Sequence, residues 1–395
     1  MQALEGLRVA DFGAHGSGPI CSLLLADFGA DVIKIEPPAG ENGRKWGSSR
    51  YGKKKDISST FAALNRNKSS IVIDLKKPAG IELALKVIMQ CDVVLQNMKP
   101  GVMDRIGLGY EAVSKMKPEI IYCSISGFGQ TGPMAPRPGF DTLMQCYCAH
   151  LSVTGEPGRA SSRIGPSAMD TLTGAHGAFA IMVALHERQR SGRGQLIDTS
   201  LYESGIMLIS HMIAEYTGSG NMIEKYGPYF PFFAPYGMFL AKDREFYLGA
   251  STDKMWTRMA TAMGRADLLQ DPRFASNEMR VQNQRAFYDI LEPVFRSQPA
   301  QYWVDMAIAQ QVPVSFVHNI AELVEQEQAK AREAIIPVMG LERVKSAGIP
   351  IKFSRTPGRI HKSPPTLGED TDSVLRRLGI PEGELSRLRS DGVVR

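Results

Sequence analysis

One carboxylate in this sequence stands where it could act as a nucleophile. Asp170, in the segment PSAMDTLTGAHGAF, opens a long stretch with helical periodicity. A carboxylate is a weak nucleophile toward most substrates, but it can attack an acyl thioester and form a mixed anhydride. The expelled thiolate can then return and make a second thioester on the protein. Because one thioester replaces another at nearly constant free energy, such an exchange needs neither ATP nor a metal ion.

Asp170 also has a plainer alternative role, which is to cap the helix that it begins. Aspartate is favoured at helix N-caps because its oxygen accepts an orphan backbone N–H and its charge suits the positive end of the helix dipole. The two roles are compatible, since a helix N-terminus favours the ionised carboxylate that a nucleophile needs. The other segments that carry chemistry decide between them.

The composition is typical of a globular enzyme with two domains. The chain has 395 residues, 43% apolar and 22% charged, so its core should exceed one compact unit. The net charge of +5 is spread along the sequence, apart from a lysine run at 53–55 that is typical of a solvated loop. No broad basic face is visible, so nucleic acid is not an expected partner, whereas a mild basic surplus suits a small polyphosphate ligand.

The cysteines and the N-terminus indicate a cytoplasmic protein. Five cysteines, an odd number, lie mostly in apolar patterns and lack the spacing of a zinc site, so no metal is expected. They are Cys21, Cys91, Cys123, Cys146 and Cys148. The first residues, MQALEGLRVADFG, enter a strand pattern directly without a signal peptide. No uninterrupted apolar stretch approaches membrane-spanning length, so no membrane partner is expected.

The first third of the chain alternates strand and helix patterns. The predicted strands are 7–12, 31–36, 70–75, 92–97 and 120–127, and the clearest helices are 18–30 and 78–91. Proline at a helix start and short connections are typical of βαβ units. The pattern therefore predicts an α/β fold with a doubly wound, mostly parallel, Rossmann-like sheet.

The rest of the chain predicts a smaller α+β domain. Helices are expected at 170–190 and 199–217, followed by a Pro- and aromatic-rich connector at 227–237. The stretch 238–250 is typical of a hairpin that turns at 242–244. We expect a large domain at 1–225, a small domain at 226–330 and a C-terminal segment at 331–395 that returns to the large domain.

Several segments at the ends of the predicted strands form a specific series. They are GAHGSGP, NRNKSSIVIDLK, NMKPGVMDRIGLGYE, YCSISGFGQTGP, MDTLTG and HERQRSGRGQLIDTSLYES, with PPTLGEDTD near the C-terminus. In this order the series resembles the class III coenzyme A transferases, a family that includes formyl-CoA transferase, the carnitine-pathway transferase and α-methylacyl-CoA racemase. The resemblance covers essentially the whole chain and is most specific over residues 4–204.

The resemblance implies an enzyme that moves coenzyme A from an acyl-CoA to a free carboxylic acid. Succinyl-CoA is a candidate donor on separate grounds, the cationic residues considered below. The resemblance places the nucleophile at Asp170 and implies an interlocked homodimer. Coenzyme A is a substrate in this family, and no tightly bound cofactor is expected. The implied coenzyme A contacts are Gly16, Ser17, Asn67, Lys68, Ser69, Ser70, Asn97, Met98, Lys99, Arg105, Arg137 and Phe140.

Departures from the family pattern narrow the function. Phe140 stands where the racemase branch has a histidine base, and Thr252 falls near the position of its glutamate. Gly16 replaces a glutamine of formyl-CoA transferase, whose tetraglycine loop is also missing near 236–250. These departures disfavour an acyl-CoA racemase or epimerase and argue against formate and oxalate as substrates. A non-catalytic acyl-CoA-binding subunit is a further alternative, which the presence of Asp170 disfavours.

Two questions about the substrate stay open at this level. The cations Arg44, Lys45, Arg50 and Arg137 would suit a dicarboxylate, but surface or coenzyme-binding roles explain them equally well. His15, in the first glycine turn, either approaches the substrate or has a structural or coenzyme-contacting role.

Overall fold

The protein is described by a computed structural model over residues 2–52 and 55–395, and its main feature is a six-stranded parallel sheet. Two lysines of the predicted solvated run, at 53 and 54, lie outside the described residues. The strands are β1 Arg8–Asp11, β2 Asp31–Glu36, β3 Lys68–Val72, β4 Val93–Gln96, β5 Ile121–Ser126 and β6 Leu196–Ser200.

The spatial order of these strands is β3-β2-β1-β4-β5-β6, with every neighbouring pair parallel. Val9 of β1 lies opposite Val32 of β2 on one side and Val93 of β4 on the other. The order of strands therefore reverses between β1 and β4. In such sheets ligands bind outside the carboxyl ends of the strands at this switch point. The predicted parallel, doubly wound sheet is confirmed.

The boundaries of two strands differ from the prediction. β3 begins at Lys68, two residues before the predicted start, so the NRNK segment lies at the amino end of the strand. β6 falls partly in a region predicted as helix, because it is a short edge strand whose residues before Ser200 are all at least partly exposed. An apolar helix follows it directly and obscures the weak strand pattern.

Helices cover both faces of this sheet. The helices, in chain order, are α1 Ser17–Ala26, α2 Ser59–Leu64, α3 Pro78–Met89, α4 Val102–Arg105, α5 Tyr110–Met116, α6 Asp141–Tyr147, α7 His150–Val153, α8 Ala168–Ser191, α9 Leu201–Leu208, α10 Ser210–Ser219, α11 Asp253–Ala262, α12 Asn277–Gln282, α13 Gln284–Phe295, α14 Ala300–Ala309, α15 Ile320–Glu325, α16 Glu327–Ala331, α17 Thr371–Arg377 and α18 Glu382–Ser390. Alternate residues of β1 point to opposite faces, so Val9 joins the core under α1 and α8 while Ala10 joins the core under α3 and α18.

Helix α8 packs closely on α1 and β5 through small residues. A β-carbon at Gly174 would lie 2.7 Å from the Ser17 carbonyl oxygen of α1, and one at Gly177 would lie 3.2 Å from the Cys21 sulfur. By length and composition alone α8 is apolar enough to cross a membrane, although Asp170 and His176 interrupt its apolar residues. Its glycines nevertheless fit the close helix packing of a folded core.

The chain divides into two compact units. The first takes the described residues of 1–149, 164–215 and 327–395, and it contains the parallel sheet. It also contains two short paired segments, Arg50–Tyr51 and Ile57–Ser58, and the hairpin of β10 Ile335–Pro337 with β11 Lys345–Ala347. Its C-terminal residues bind β3, since Asp370 Oδ2 accepts the Ser70 N–H at 2.9 Å.

The second unit comprises residues 150–163 and 216–326. Its antiparallel sheet consists of β7 Tyr236–Leu240, β8 Glu245–Gly249 and β9 Val314–Phe316, and the predicted hairpin is confirmed. An aromatic core around Trp256, Phe287 and Phe295 packs this sheet against α11, α13 and α14.

Candidate active site

The loops that follow β1 and β4 are joined at the switch point of the sheet. Asn97 Oδ1 accepts the Ala14 N–H at 2.9 Å, and Asn97 Nδ2 donates to the Ala14 carbonyl at 2.7 Å. Gly18 packs against Gly13 so closely that a β-carbon would lie 2.9 Å from the Gly13 Cα. These contacts fix the glycine turn beside the NMK segment, as expected for strand ends at a switch point.

Asp170 is the third residue of α8 and does not cap it. Ser167 precedes the helix, and Asp141 of α6 supplies the missing acceptor. Its Oδ2 accepts the Met169 N–H at 2.8 Å and the Asp170 N–H at 3.2 Å. The capping alternative is therefore wrong for Asp170, and its carboxylate is available for another role.

The Asp170 carboxylate lies against the glycine turn after β1. A β-carbon at Gly16 would come within 2.7 Å of both the carboxyl carbon and Oδ2 of Asp170. The main chain and side chain of Ser17 favour the ionised form of this carboxylate and lower its pKa. The glycine turn and α8 together hold the carboxylate in one place, and only glycine fits at position 16 without displacing it.

The surroundings of Asp170 make its proton harder to remove. Burial, together with the nearby charge of Asp141, raises the pKa of Asp170 to about 6, although the main chain and side chain of Ser17 oppose this shift. The helix N-terminus, expected to favour ionisation, is outweighed by burial. With a pKa of about 6 the carboxylate is still mostly ionised at neutral pH. An ionised but poorly solvated carboxylate can attack an electrophilic carbonyl.

Asp170 opens into a cleft of about 200 Å³ that we call the nucleophile cleft. Six of the predicted coenzyme A contacts line it beside Asp170: Ser17, Asn97, Met98, Lys99, Arg137 and Phe140. The remaining lining residues include His15 and Trp46. Lys99 and Arg137 are exposed cations, and Arg137 donates to the Tyr147 hydroxyl at 3.2 Å. The structure therefore brings half of the predicted binding residues together around the predicted nucleophile.

A larger second cleft of about 780 Å³ lies at the carboxyl ends of β1 to β4. It shares His15, Asn97, Met98 and Lys99 with the nucleophile cleft. Its other walls come from segments that the sequence reasoning missed, the loop 37–42 after β2 and residues 73–76 after β3. Their place in the sequence could have predicted them as cleft walls, because both segments directly follow strands of the parallel sheet. Lys76 adds an exposed cation to this cleft.

The structure does not bring Asn67, Lys68, Ser69 and Ser70 to either cleft. Lys68 is fully buried, and its ammonium group donates to the Pro19 carbonyl and to Asn65 Oδ1, both at 2.9 Å. Burial lowers the pKa of Lys68 to about 8. Because Lys68 is the first residue of β3, this segment precedes the carboxyl end of the strand, where the second cleft lies. Its polar side chains instead hold the C-terminal segment, for example through Asn67 Nδ2 and the Arg359 carbonyl at 2.9 Å.

The other predicted cations have different surroundings. Arg44 is buried and forms a paired hydrogen bond with Glu36, at 2.7 and 2.6 Å, so it is not available to a substrate. Arg50 donates to main-chain carbonyls of its own loop. Lys45 and Arg105 are exposed and line neither cleft, and Arg105 ends α4 in the loop region after β4.

The two positions at which the racemase branch has its bases, Phe140 and Thr252, carry no proton-removing group here. Phe140 is 60% exposed and lines the nucleophile cleft, where it offers no group that could remove a proton. In the second unit Thr252 caps α11 with its side chain, and Asp253 Oδ1 accepts from the buried Arg280 at 2.8 Å. His176 on α8 hydrogen-bonds Ser204 at 3.0 Å, which supports a structural role for that histidine.

The chain is similar to proteins with CoA-transferase activity along nearly its whole length. The sequence model of CoA-transferase family III matches residues 4–371 of this chain. Succinyl-CoA–D-citramalate CoA-transferase from Chloroflexus aurantiacus is 36% identical, over 99% of this chain and 98% of the relative. Acetyl-CoA:oxalate CoA-transferase from Acetobacter aceti is 34% identical, over 96% and 97%. A solved CAIB/BAIF family protein from Brucella suis has a TM-score of 0.88 at 33% identity, over 95% of this chain and 99% of that one.

Proposed function

Because this chain belongs to CoA-transferase family III, we propose that it moves coenzyme A from an acyl-CoA to a free carboxylic acid through a covalent thioester on Asp170. The observation that carries the proposal is the placement of the Asp170 carboxylate. It is desolvated, Ser17 favours its ionised form, and it opens into a cleft with two exposed cations. These are the properties of a carboxylate nucleophile that meets an anionic substrate.

The reaction begins with attack of a carboxylate oxygen of Asp170 on the thioester carbon of the donor. The carbon–sulfur bond breaks, which leaves an acyl-aspartyl anhydride and the thiolate of coenzyme A. The thiolate then attacks the aspartyl carbonyl carbon, forms the aspartyl thioester and releases the donor acid as its carboxylate. The acceptor carboxylate repeats the two steps in reverse order and leaves as the new acyl-CoA. Each step exchanges one acyl bond for another, so no redox partner is needed.

Free thiolate must stay near Asp170 between the two steps. Binding energy from the remote nucleotide can hold the thiol for recapture. The second cleft supports this role, since it joins the nucleophile cleft through Asn97, Met98 and Lys99 and carries the additional cation Lys76. We assign the nucleotide of coenzyme A to the second cleft and its pantetheine arm to the side of the nucleophile cleft formed by Asn97 and Lys99.

The names of the relatives support a short dicarboxylic acid as substrate. One acts on succinyl-CoA and D-citramalate, and another on acetyl-CoA and oxalate. For this chain we propose succinyl-CoA as donor and a short diacid as acceptor. The expectation against oxalate and formate, which rests on Gly16 and the missing tetraglycine loop, stays a prediction. A panel of free acids offered with succinyl-CoA, with new thioesters followed by mass, tests each of these substrates.

The interlocked homodimer and the cytoplasmic location belong to the same proposal. Large apolar side chains on α8 and α9 support a partner surface, since Phe179 is 70% exposed and Met207 is 62% exposed. The described cysteines are free thiols, as expected in a reducing compartment. A stable monomer in analytical ultracentrifugation at micromolar concentration would contradict the dimer.

The decisive experiment traps the covalent intermediate. The protein is incubated with succinyl-CoA, treated with hydroxylamine or borohydride, digested and analysed by mass spectrometry. We expect the modified peptide to carry the change at Asp170, and the Asp170→Asn variant to carry none. Turnover without any modified peptide would contradict the mechanism. Deuterium uptake at the α-carbon of an acyl-CoA, measured in the same samples, would instead support the racemase alternative.

A further inference from the structure

His15 is held in an unusual conformation at the edge of the nucleophile cleft. Its φ is +69°, in the left-handed region that residues other than glycine seldom adopt. Its N–H donates to Glu41 Oε2 at 2.8 Å. Glu41 is in turn paired with the buried Lys34 at 3.1 Å. The buried Lys34–Glu41 pair thus holds the main chain of His15 in place and restricts where its ring can lie.

The imidazole of His15 lies between two aromatic walls of the cleft. Its ring centroid is 5.2 Å from that of Trp46 and 6.3 Å from that of Phe140, with the second pair at 90°. The Nδ1 atom is shielded from solvent and has no hydrogen-bond partner among the residues that the structure describes. The ring is only partly buried, and Nε2 is not among its shielded unpaired atoms, so Nε2 is the ring nitrogen that can reach a polar group of the substrate in the cleft.

The polar groups around Asp170 leave few candidates for recognition of a second carboxylate. The cations that line the nucleophile cleft are Lys99 and Arg137. Arg44 does not line it and is paired with Glu36. Lys99 also lines the second cleft, where the nucleotide is proposed to lie. Arg137 is exposed and donates to the Tyr147 hydroxyl. His15 lines both clefts, but its ring contacts Trp46 and Phe140, which line the nucleophile cleft alone.

From these contacts we infer that His15 selects dicarboxylic substrates, its imidazole binding the carboxylate at the far end of the acyl chain from the reacting carbon. The inference rests on the proposed CoA transfer and specifies which class of acids the same site accepts. Trp46 and Phe140 suit the methylene groups between the two carboxylates, since both present apolar ring surface beside the imidazole.

The test compares acids that differ only in the distal carboxylate. Labelled succinate exchanging into succinyl-CoA is compared with labelled butyrate exchanging into butyryl-CoA. Glutarate and valerate form a second matched pair with one more carbon. Each exchange has an equilibrium constant of one and uses the same coenzyme. The ratio of the diacid rate to the monoacid rate therefore measures recognition of the distal carboxylate alone.

Two variants fit the left-handed conformation at position 15. His15→Gly removes the side chain without strain, and His15→Asn retains a polar donor in a residue type that tolerates positive φ. We expect His15→Gly to lower the diacid-to-monoacid ratio by about 10- to 100-fold, the range of a charge-assisted hydrogen bond. His15→Asn should retain a higher ratio than His15→Gly. Arg376→Gln is the control, because Arg376 is exposed, pairs with Glu382 and lines neither cleft.

The outcomes separate this inference from the proposed function. A fall of both exchange rates in the same proportion in His15→Gly would overturn the inference, because it would show a structural role only. The inference would also be overturned if the diacid-to-monoacid ratio fell in Arg137→Gln but not in His15→Gly. Wild-type protein that exchanges butyrate as fast as succinate would do the same. If the wild type exchanges none of the four acids, CoA transfer to short acids itself is contradicted.

Discussion

The main chain at Gly16 faces the Asp170 carboxylate so closely that a β-carbon there would lie 2.7 Å from its carboxyl carbon and Oδ2. A β-carbon essentially never lies closer than 3.0 Å to such an atom, so any larger residue must move the carboxylate or the glycine turn. The turn after β1 and the first turn of α8 therefore position the Asp170 carboxylate together. This relationship also gives a physical meaning to the glycine found at position 16.

Gly16→Ala should abolish most of the transfer activity while leaving the fold intact. The added carbon displaces the Asp170 carboxylate, and a misplacement of about 1 Å costs about 100-fold in rate. Single-turnover formation of the aspartyl thioester measures the effect directly. Gly383→Ala in α18 is the matched control, since no atom lies within 4 Å of its added carbon. Near-normal thioester formation in Gly16→Ala would contradict the assigned position of the nucleophile.

The rate of thioester formation should follow the ionisation of Asp170. Burial and the charge of Asp141 raise its pKa to about 6, and only the ionised form attacks. We expect the rate constant for thioester formation, measured at acyl-CoA concentrations far below KM, to be constant above about pH 7. Below about pH 6 it should fall about tenfold per pH unit. Rapid-quench measurements between pH 4.5 and 8 test this. A profile that stays level down to pH 4.5 would show that the carboxylate is not desolvated in solution.

Asp170→Asn should be inactive but more stable than the wild type at neutral pH. Because the folded pKa is raised, ionised Asp170 opposes folding, and its favourable contribution is complete only below about pH 4 and is lost as the pH rises through about 6. Removing the charge should therefore raise the free energy of unfolding by about 1–3 kcal/mol at pH 7.5. Urea unfolding of both proteins at pH 7.5 and pH 4.5 measures this, and the difference should fall to about a third of its value at the lower pH. Equal stability at both values would contradict the raised pKa.

Asp141→Asn separates the two roles of Asp141. The amide oxygen can still accept the Met169 and Asp170 N–H groups, whereas the negative charge that raises the pKa of Asp170 is gone. We expect the acid limb of the rate profile to move to lower pH with the helix start intact. Asp141→Ala removes the acceptor as well and should destabilise the protein by about 1 kcal/mol. An unchanged acid limb in Asp141→Asn would show that burial alone sets the pKa of Asp170.

The sequence predicted the parallel sheet well because its strands are short apolar runs with proline and glycine at clear boundaries. β2 was predicted with its observed limits, and α3 with its observed start at Pro78. β6 was missed, because an exposed edge strand carries little apolar pattern. Asp170 was proposed as the nucleophile from its local segment and the family resemblance. Asp141, which accepts the N–H groups at the start of α8, was not predicted, since a contact between α6 and α8 leaves no periodic signal.

Only some of the predicted binding residues line the two clefts, for reasons of topology. Lys68 is a cation in a polar segment, but the direction of β3 places it at the buried amino end, where it donates to Pro19 and Asn65. Lys76 follows the same strand at its carboxyl end and lines the second cleft. Composition cannot distinguish these two lysines, because only the direction of the strand decides which of them reaches a ligand.

Lys76 provides the last test, because it asks whether the second cleft holds the nucleotide of coenzyme A. Lys76→Ala should raise the KM for succinyl-CoA by about 10-fold through loss of a phosphate contact. It should leave the kinetics of succinyl-pantetheine unchanged, since that thioester lacks the nucleotide. Lys77→Ala is the matched neighbour, because the Lys77 ammonium donates to the main-chain carbonyls of Asp391 and Gly392. Equal KM increases for the two thioesters would show that Lys76 acts on the fold and that the nucleotide lies elsewhere.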